Sequence, residues 1–190
     1  MTFWRINLIL LLFLVFTKSI FASEINIIGD SLIVGSQKHI RNLLFEYELN
    51  IDAKEGRHFK SAFELIEKIK PGSIVVINLF NNSSVDYKEI ETLVQILTEK
   101  GSTIVFVNTH VQRSWREYNN RNLQFIKLKY PQVYLLDWEK AMSVLCYNIN
   151  CLRSDGVHFT QEGSFNYALA LYFVISQAIK ENYAYKNRKP

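Results

Sequence analysis

The chain has 190 residues, a formal charge of +4, 48% hydrophobic and 21% charged residues, a balance that excludes disorder. Seven Gly and three Pro exclude collagen-like and low-complexity classes, and two Cys exclude a disulfide-rich miniprotein and an all-cysteine zinc site. Arg5 and Lys18 lie in an N-terminal stretch without acids, so the remainder carries only +2, too little for a nucleic-acid partner bound by bulk charge.

In chain order, Arg5 precedes an apolar run from Ile6 to Phe16, interrupted only by Asn7, and then Ile20-Phe21-Ala22. A charged start, an apolar stretch and a small terminal residue predict a secretory signal over residues 1–22 and an exported, periplasmic or secreted protein. The run is shorter than the roughly 20 residues of a spanning helix. An uncleaved anchor ending at Lys18 is the alternative, and it is the one membrane association the sequence offers. Residues 23–190 suffice for one domain with a real core.

Glu24 to Ile28 is a short strand ending at Gly29, and Leu32 to Glu46 carries apolar residues at helical spacing. Leu49 to Ala53 is a second strand, Ser61 to Ile69 an amphipathic helix, and Pro71-Gly72 a break. Ser73 to Leu79 is a continuous β-rich apolar run, the pattern of a strand buried on both faces. A helix from Tyr87 to Lys100 stops at Gly101. Thr103 to Asn108 (strand), Ser114 to Leu128 (helix), Val133 to Leu136 (strand) and Gln161 to Tyr183 (helix) complete the series. Strands separated regularly by helices predict right-handed βαβ units, hence a three-layer α/β/α sandwich around a mainly parallel five-stranded sheet. Ligands bind such sheets at the carboxyl ends of the strands, which directs attention to the residues after each strand.

After the first strand stand Gly29, Asp30, Ser31 and Leu32. A Ser at that turn presents its hydroxyl at the mouth of the sheet, with its own N–H near the positive end of the following helix. By itself it reads more readily as an ordinary helix N-cap. Before the last helix, Asp155 and His158 are three residues apart, a spacing that lets the carboxylate hold one imidazole nitrogen while the other faces outward. Ser, His and Asp are then available as nucleophile, base and orienter. The third strand leads into Asn81 and Asn82, whose amides serve as oxyanion donors or as loop caps. Gly56, after the second strand, offers a backbone N–H to the same place. Cys146 and Cys151 enclose a short loop that an oxidising compartment would let close as a disulfide; two free thiols are the alternative.

The literal Gly29-Asp30-Ser31-Leu32 block and the Asp155-Gly156-Val157-His158-Phe159-Thr160 block, in this order, resemble the SGNH (GDSL) hydrolase superfamily. The resemblance implies an SGNH-type, flavodoxin-like sandwich with Ser31 as nucleophile, His158 as general base and Asp155 as its partner. It further implies an oxyanion hole from the Ser31 and Gly56 N–H groups and Asn82. One departure stands out: the family's G-x-N block would place its Gly at position 80, where this chain has Phe80. A finer resemblance runs through Val107-Asn108, Arg113-Ser114-Trp115, Asn119 to Leu123 and Leu136-Asp137-Trp138. It is to the SGNH domains of family-three membrane acyltransferases, which take part in O-acetylation of surface polysaccharide.

These resemblances imply an exported serine esterase or O-acyltransferase acting on small acyl esters of cell-envelope carbohydrate, without a metal or organic cofactor. Asp30, Asn81, Arg113 and Trp115 are the candidate substrate-binding residues, with Trp115 reading equally as core and Arg113 as a solvated helix start. Two alternatives stand beside this: a lysophospholipase or thioesterase acting on lipid esters, and a catalytically silent binding module whose oxyanion pocket Phe80 blocks.

Overall fold

The computed structural model describes residues 24–186, so the signal expected over residues 1–22 lies outside the described residues. Five parallel strands form one sheet: β1 (Ile25–Gly29), β2 (Leu49–Ala53), β3 (Ile74–Asn78), β4 (Thr103–Val107) and β5 (Tyr134–Leu136), in the order β2-β1-β3-β4-β5. Six helices accompany them: α1 (Ser31–Leu43), α2 (Ser61–Ile66), α3 (Tyr87–Glu99), α4 (Arg116–Lys129), α5 (Trp138–Leu145) and α6 (Gln161–Lys186). No helix among the described residues is long and apolar enough to cross a membrane.

The period of two along each strand splits the core into two layers. In β3, Ile74 and Val76 join a cluster with α1 and α6, whereas Val75 and Ile77 join a second cluster with α2, α3 and α4. Burying each such branched side chain contributes about 1.5–3 kcal/mol, which makes the fully buried β1 and β3 the costliest places to disturb. Gly29 of β1 pairs in register with Ala53 of β2 and Asn78 of β3, so three strands end level and release their loops at one rim.

The expected sandwich is the observed one. Some local bounds differ: α1 ends at Leu43 rather than Glu46, and α4 starts at Arg116 rather than Ser114. Helix α2 stops at Ile66 rather than Ile69, because the amides of Lys68 and Ile69 bond three residues back, in turns that do not propagate. Helix α5 was not expected; it starts where the Asp137 carboxylate accepts from the Lys140 N–H, and its Trp138 is wholly buried.

Candidate active site

Ser31 opens α1 directly after β1, and Gly29 explains the tightness of that turn. A Cβ at Gly29 would stand 2.2 Å from Cγ1 of Ile33, so only glycine lets the strand end pass beneath the first turn of the helix. Asp30 caps the helix, its Oδ1 accepting the Leu32 N–H at 3.0 Å. Facing Ser31 is the hairpin before α6. His158 lies with Nε2 3.1 Å from Ser31 Oγ and Nδ1 2.8 Å from Asp155 Oδ2. With the Nδ1 proton donated to Asp155, Nε2 is left as an acceptor for the Ser31 hydroxyl.

Asp155 is itself held in place: Oδ1 accepts the N–H groups of Val157 at 2.8 Å and His158 at 2.9 Å. The bond from the His158 ring, followed by these two amides, keeps its carboxyl well below the usual carboxylate range. The hairpin carrying both residues is closed at its base. Leu152 bridges Phe159, and the Arg153 N–H donates to the His158 carbonyl at 2.8 Å. Thr160 N–H donates to the Cys151 carbonyl at 3.0 Å. Cys151 is bonded to Cys146, tying this base to the end of α5. A Cβ at Gly163 would meet the Cys151 carbonyl oxygen at 2.0 Å, so α6 also packs directly on this backbone.

Beneath Ser31 runs a polar network. Asp30 is fully buried, and its Oδ2 accepts from the amides of Asn81 at 2.8 Å and Asn82 at 3.3 Å. Asn81 also donates to Asn78 Oδ1 at 2.8 Å, and the Asn78 amide donates to the hydroxyl of the buried Tyr167. Burial pushes the Asp30 carboxyl up to about 6 and raises the Tyr167 phenol far above its ordinary value. Asp30 and Asn81, the candidate substrate contacts, are both buried, with their side chains bonded to one another. They support the turn at Ser31 and the loop after β3 from below.

Asn82 joins two parts of the site, for its amide also donates to the carbonyl of Arg57 at 3.0 Å, next to Gly56. Gly56 is exposed on the loop after β2. Phe80 does not crowd this rim: its ring is wholly buried between Phe59 (5.2 Å between centroids) and Phe106 (5.7 Å) in the second core layer. The bulk that replaces the expected glycine therefore fills the core. Arg113 is exposed and Trp115 half-buried on the turn into α4, and neither bonds to Ser31, Asp155 or His158.

Helix α4 supplies residues that the sequence alone did not single out for the site. Asn119 donates to the carbonyls of Phe80 (2.9 Å) and Ser83 (2.8 Å) and accepts the Val85 N–H (2.9 Å), splinting the loop that carries Asn82. Asn120 grips Thr109 after β4 at both ends, accepting its N–H at 3.0 Å and donating to its carbonyl at 2.8 Å. The next residue, His110, is 2% exposed, and burial drops its imidazole to about 4. A run of Asn on a helix and a lone His in a loop are weak signals, and only the tertiary pairing gives them meaning.

No protein-family model matches the chain, and no curated protein matches it in sequence. Solved structures do. The C-terminal catalytic domain of peptidoglycan O-acetyltransferase A from Streptococcus pneumoniae superposes with a TM-score of 0.65 at 21% identity, over 84% of this chain and 96% of that one. A lipase/acylhydrolase from Enterococcus faecalis gives 0.63 at 14% identity, over 83% and 96%. A GDSL-like lipase from Bacteroides thetaiotaomicron gives 0.62 at 15% identity, over 85% and 89%. The chain thus has the SGNH (GDSL) hydrolase fold.

Proposed function

We propose that this protein is a serine esterase or O-acyltransferase that takes small acyl groups, O-acetyl foremost, from or to cell-envelope carbohydrate. One observation carries the reading: the unbroken hydrogen-bonded line from Ser31 through His158 to Asp155 at the carboxyl rim of the sheet. His158 Nε2 takes the Ser31 proton as Oγ attacks the ester carbonyl, and Asp155 stabilises the imidazolium. The alkoxide of the collapsing tetrahedral adduct leaves with the proton held by His158. Water or a sugar hydroxyl then attacks the acyl-Ser31 ester, giving its proton to His158, which passes it to the departing Ser31 Oγ as the second adduct collapses, restoring the serine and the neutral imidazole.

The oxyanion is held by the Ser31 N–H at the start of α1, the Gly56 N–H and the Asn82 amide. Both Asn82 amide protons have acceptors, Arg57 at 3.0 Å and Asp30 at 3.3 Å, so the longer bond yields when the oxyanion forms. His158 and Asp155 stay about half exposed, which leaves the site open to a substrate carried on a larger carbohydrate. The carbohydrate reading draws support from the fold shared with a peptidoglycan O-acetyltransferase domain. The Cys146–Cys151 bond supports an oxidising compartment and hence export through residues 1–22.

The test is hydrolysis of p-nitrophenyl acetate by the purified protein beside Ser31→Ala. Turnover in the parent that falls at least about a thousandfold in the variant is expected; equal rates would remove the reading. A falling rate from acetate to octanoate supports sugar O-acetyl chemistry over lipid esters, and a rising one reverses that choice.

A further inference from the structure

We propose that His110, in the loop after β4, is a positioning residue for the base, holding the peptide unit from which His158 projects. This rests on the reading of His158 as general base.

The Val157–His158 peptide is bonded on both sides. Its N–H, that of His158, donates to Asp155 Oδ1 at 2.9 Å, and its carbonyl, that of Val157, accepts from His110 Nε2 at 3.2 Å. The two anchors differ in kind. Asp155 rides on the same exposed hairpin, so its bond moves with the hairpin and cannot fix it to the sheet. His110 belongs to the sheet rim: Asn120 clamps the backbone of Thr109 before it, and Val111 N–H after it bonds Thr109 Oγ1 at 3.1 Å. Its ring is buried and stacked on Phe159, with centroids 5.6 Å apart and planes 22° apart.

Chemistry fixes its tautomer. Only a proton on Nε2 can satisfy the Val157 carbonyl, and Nδ1 is buried without a partner. The neutral ring that burial enforces therefore acts as a one-proton donor from the sheet to the hairpin. Without that donor, the peptide plane before His158 keeps only its local bond, and Nε2 loses its fixed approach to Ser31 Oγ. A misplacement of about 1 Å at a reacting group can cost on the order of a hundredfold in rate.

The experiment separates the donor from the ring. His110→Phe keeps the aromatic volume and the stacking on Phe159 but cannot donate; His110→Gln restores a donor at the Nε2 position. Expected for His110→Phe is a kcat on p-nitrophenyl acetate about 10–100-fold lower with KM within about twofold, and for His110→Gln recovery of most of that loss. Amide exchange of residues 153–160, followed by mass spectrometry, should speed up in the Phe variant and return towards the parent in the Gln variant. Parent-like kcat and exchange in His110→Phe overturn the proposal, as do equal losses in both variants, which would assign the effect to packing. Should His110→Phe fail to fold, His110→Leu serves as the donor-less variant. If the parent proves inert towards esters, the exchange comparison still decides the tether, and the catalytic reading alone falls.

Discussion

The carboxylate of Asp30 accepts the side-chain amide of Asn82 at 3.3 Å, so the residue before Ser31 also steers Asn82 on the loop after β3. One buried anion thereby couples two loops that leave the sheet from adjacent strands, β1 and β3. Its burial has a measurable sign. The native carboxyl, at about 6, binds its proton more tightly than the ordinary 3.8, so the stability of the fold is highest below pH 4 in this respect and falls as pH rises through 6. Asp30→Asn lacks this titration. Between pH 4 and 6.5 the unfolding free energy of the parent should drop relative to the variant by up to about 3 kcal/mol, read from urea denaturation at each pH. At pH 7.5 the variant should also turn over ester at least about tenfold more slowly, because its own NH₂ then faces the amides of Asn81 and Asn82.

Asp155 makes a different prediction, because its depressed titration keeps it ionised throughout the working range. The stability it contributes is present above the ordinary carboxylate pKa and is lost only as pH falls towards the lower native value. In Asp155→Asn the side-chain oxygen can still receive the two backbone amides, but the NH₂ opposes Nδ1–H and drives the imidazole to the other tautomer. We expect kcat to fall by a factor on the order of 10³–10⁴ with little change in KM, and the melting temperature to fall modestly as the charge-assisted bonds are lost. Steady-state kinetics of the two proteins at pH 7.5 check this.

Phe80 decides between an obstructed site and an open one. Phe80→Ala should cost about 3–5 kcal/mol in urea unfolding, because it empties the space between Phe59 and Phe106. Activity per folded molecule should stay within about twofold of the parent. A large gain in activity would mean that the ring obstructs the pocket after all.

The Cys146–Cys151 bond should act on both stability and rate. Cys146→Ser with Cys151→Ser removes the closure of a short loop, worth about 2 kcal/mol, and frees the base of the hairpin that carries His158. A lower melting temperature and a several-fold lower kcat are expected, and reduction of the parent with dithiothreitol should reproduce both. Gly163→Ala should impair the same hairpin without touching the disulfide, since its methyl collides with the Cys151 carbonyl. Melting curves and acetate-ester kinetics across the three samples test the common origin.

Legibility followed locality. Strands β1, β3 and β4 were readable because a strand buried on both faces is a run of apolar residues rich in branched side chains, and Ser31, Asp155 and His158 were readable because each sits in a short recognisable block, although Ser31 and His158 meet across 127 residues. The burial of Asp30 and Asn81 was not legible: a polar residue at a strand end looks the same whether it faces solvent or supports a loop from beneath. Helix α5 escaped because eight residues ending at a cysteine give barely two turns of periodicity. His110, Asn119 and Asn120 escaped for another reason: their partners lie 11 to 47 residues away, and no local pattern encodes such pairings.

The bonds of Asn119 and Asn120 to the rim are made to main-chain groups: the Phe80 and Ser83 carbonyls, the Val85 N–H, and both ends of Thr109. A splint that grips only the backbone is indifferent to what the gripped residues carry. The loops after β3 and β4 can therefore exchange side chains, and with them the shape and polarity of the groove, while their course through space is kept. Such a scaffold lets substrate preference drift by single substitutions without refolding the rim.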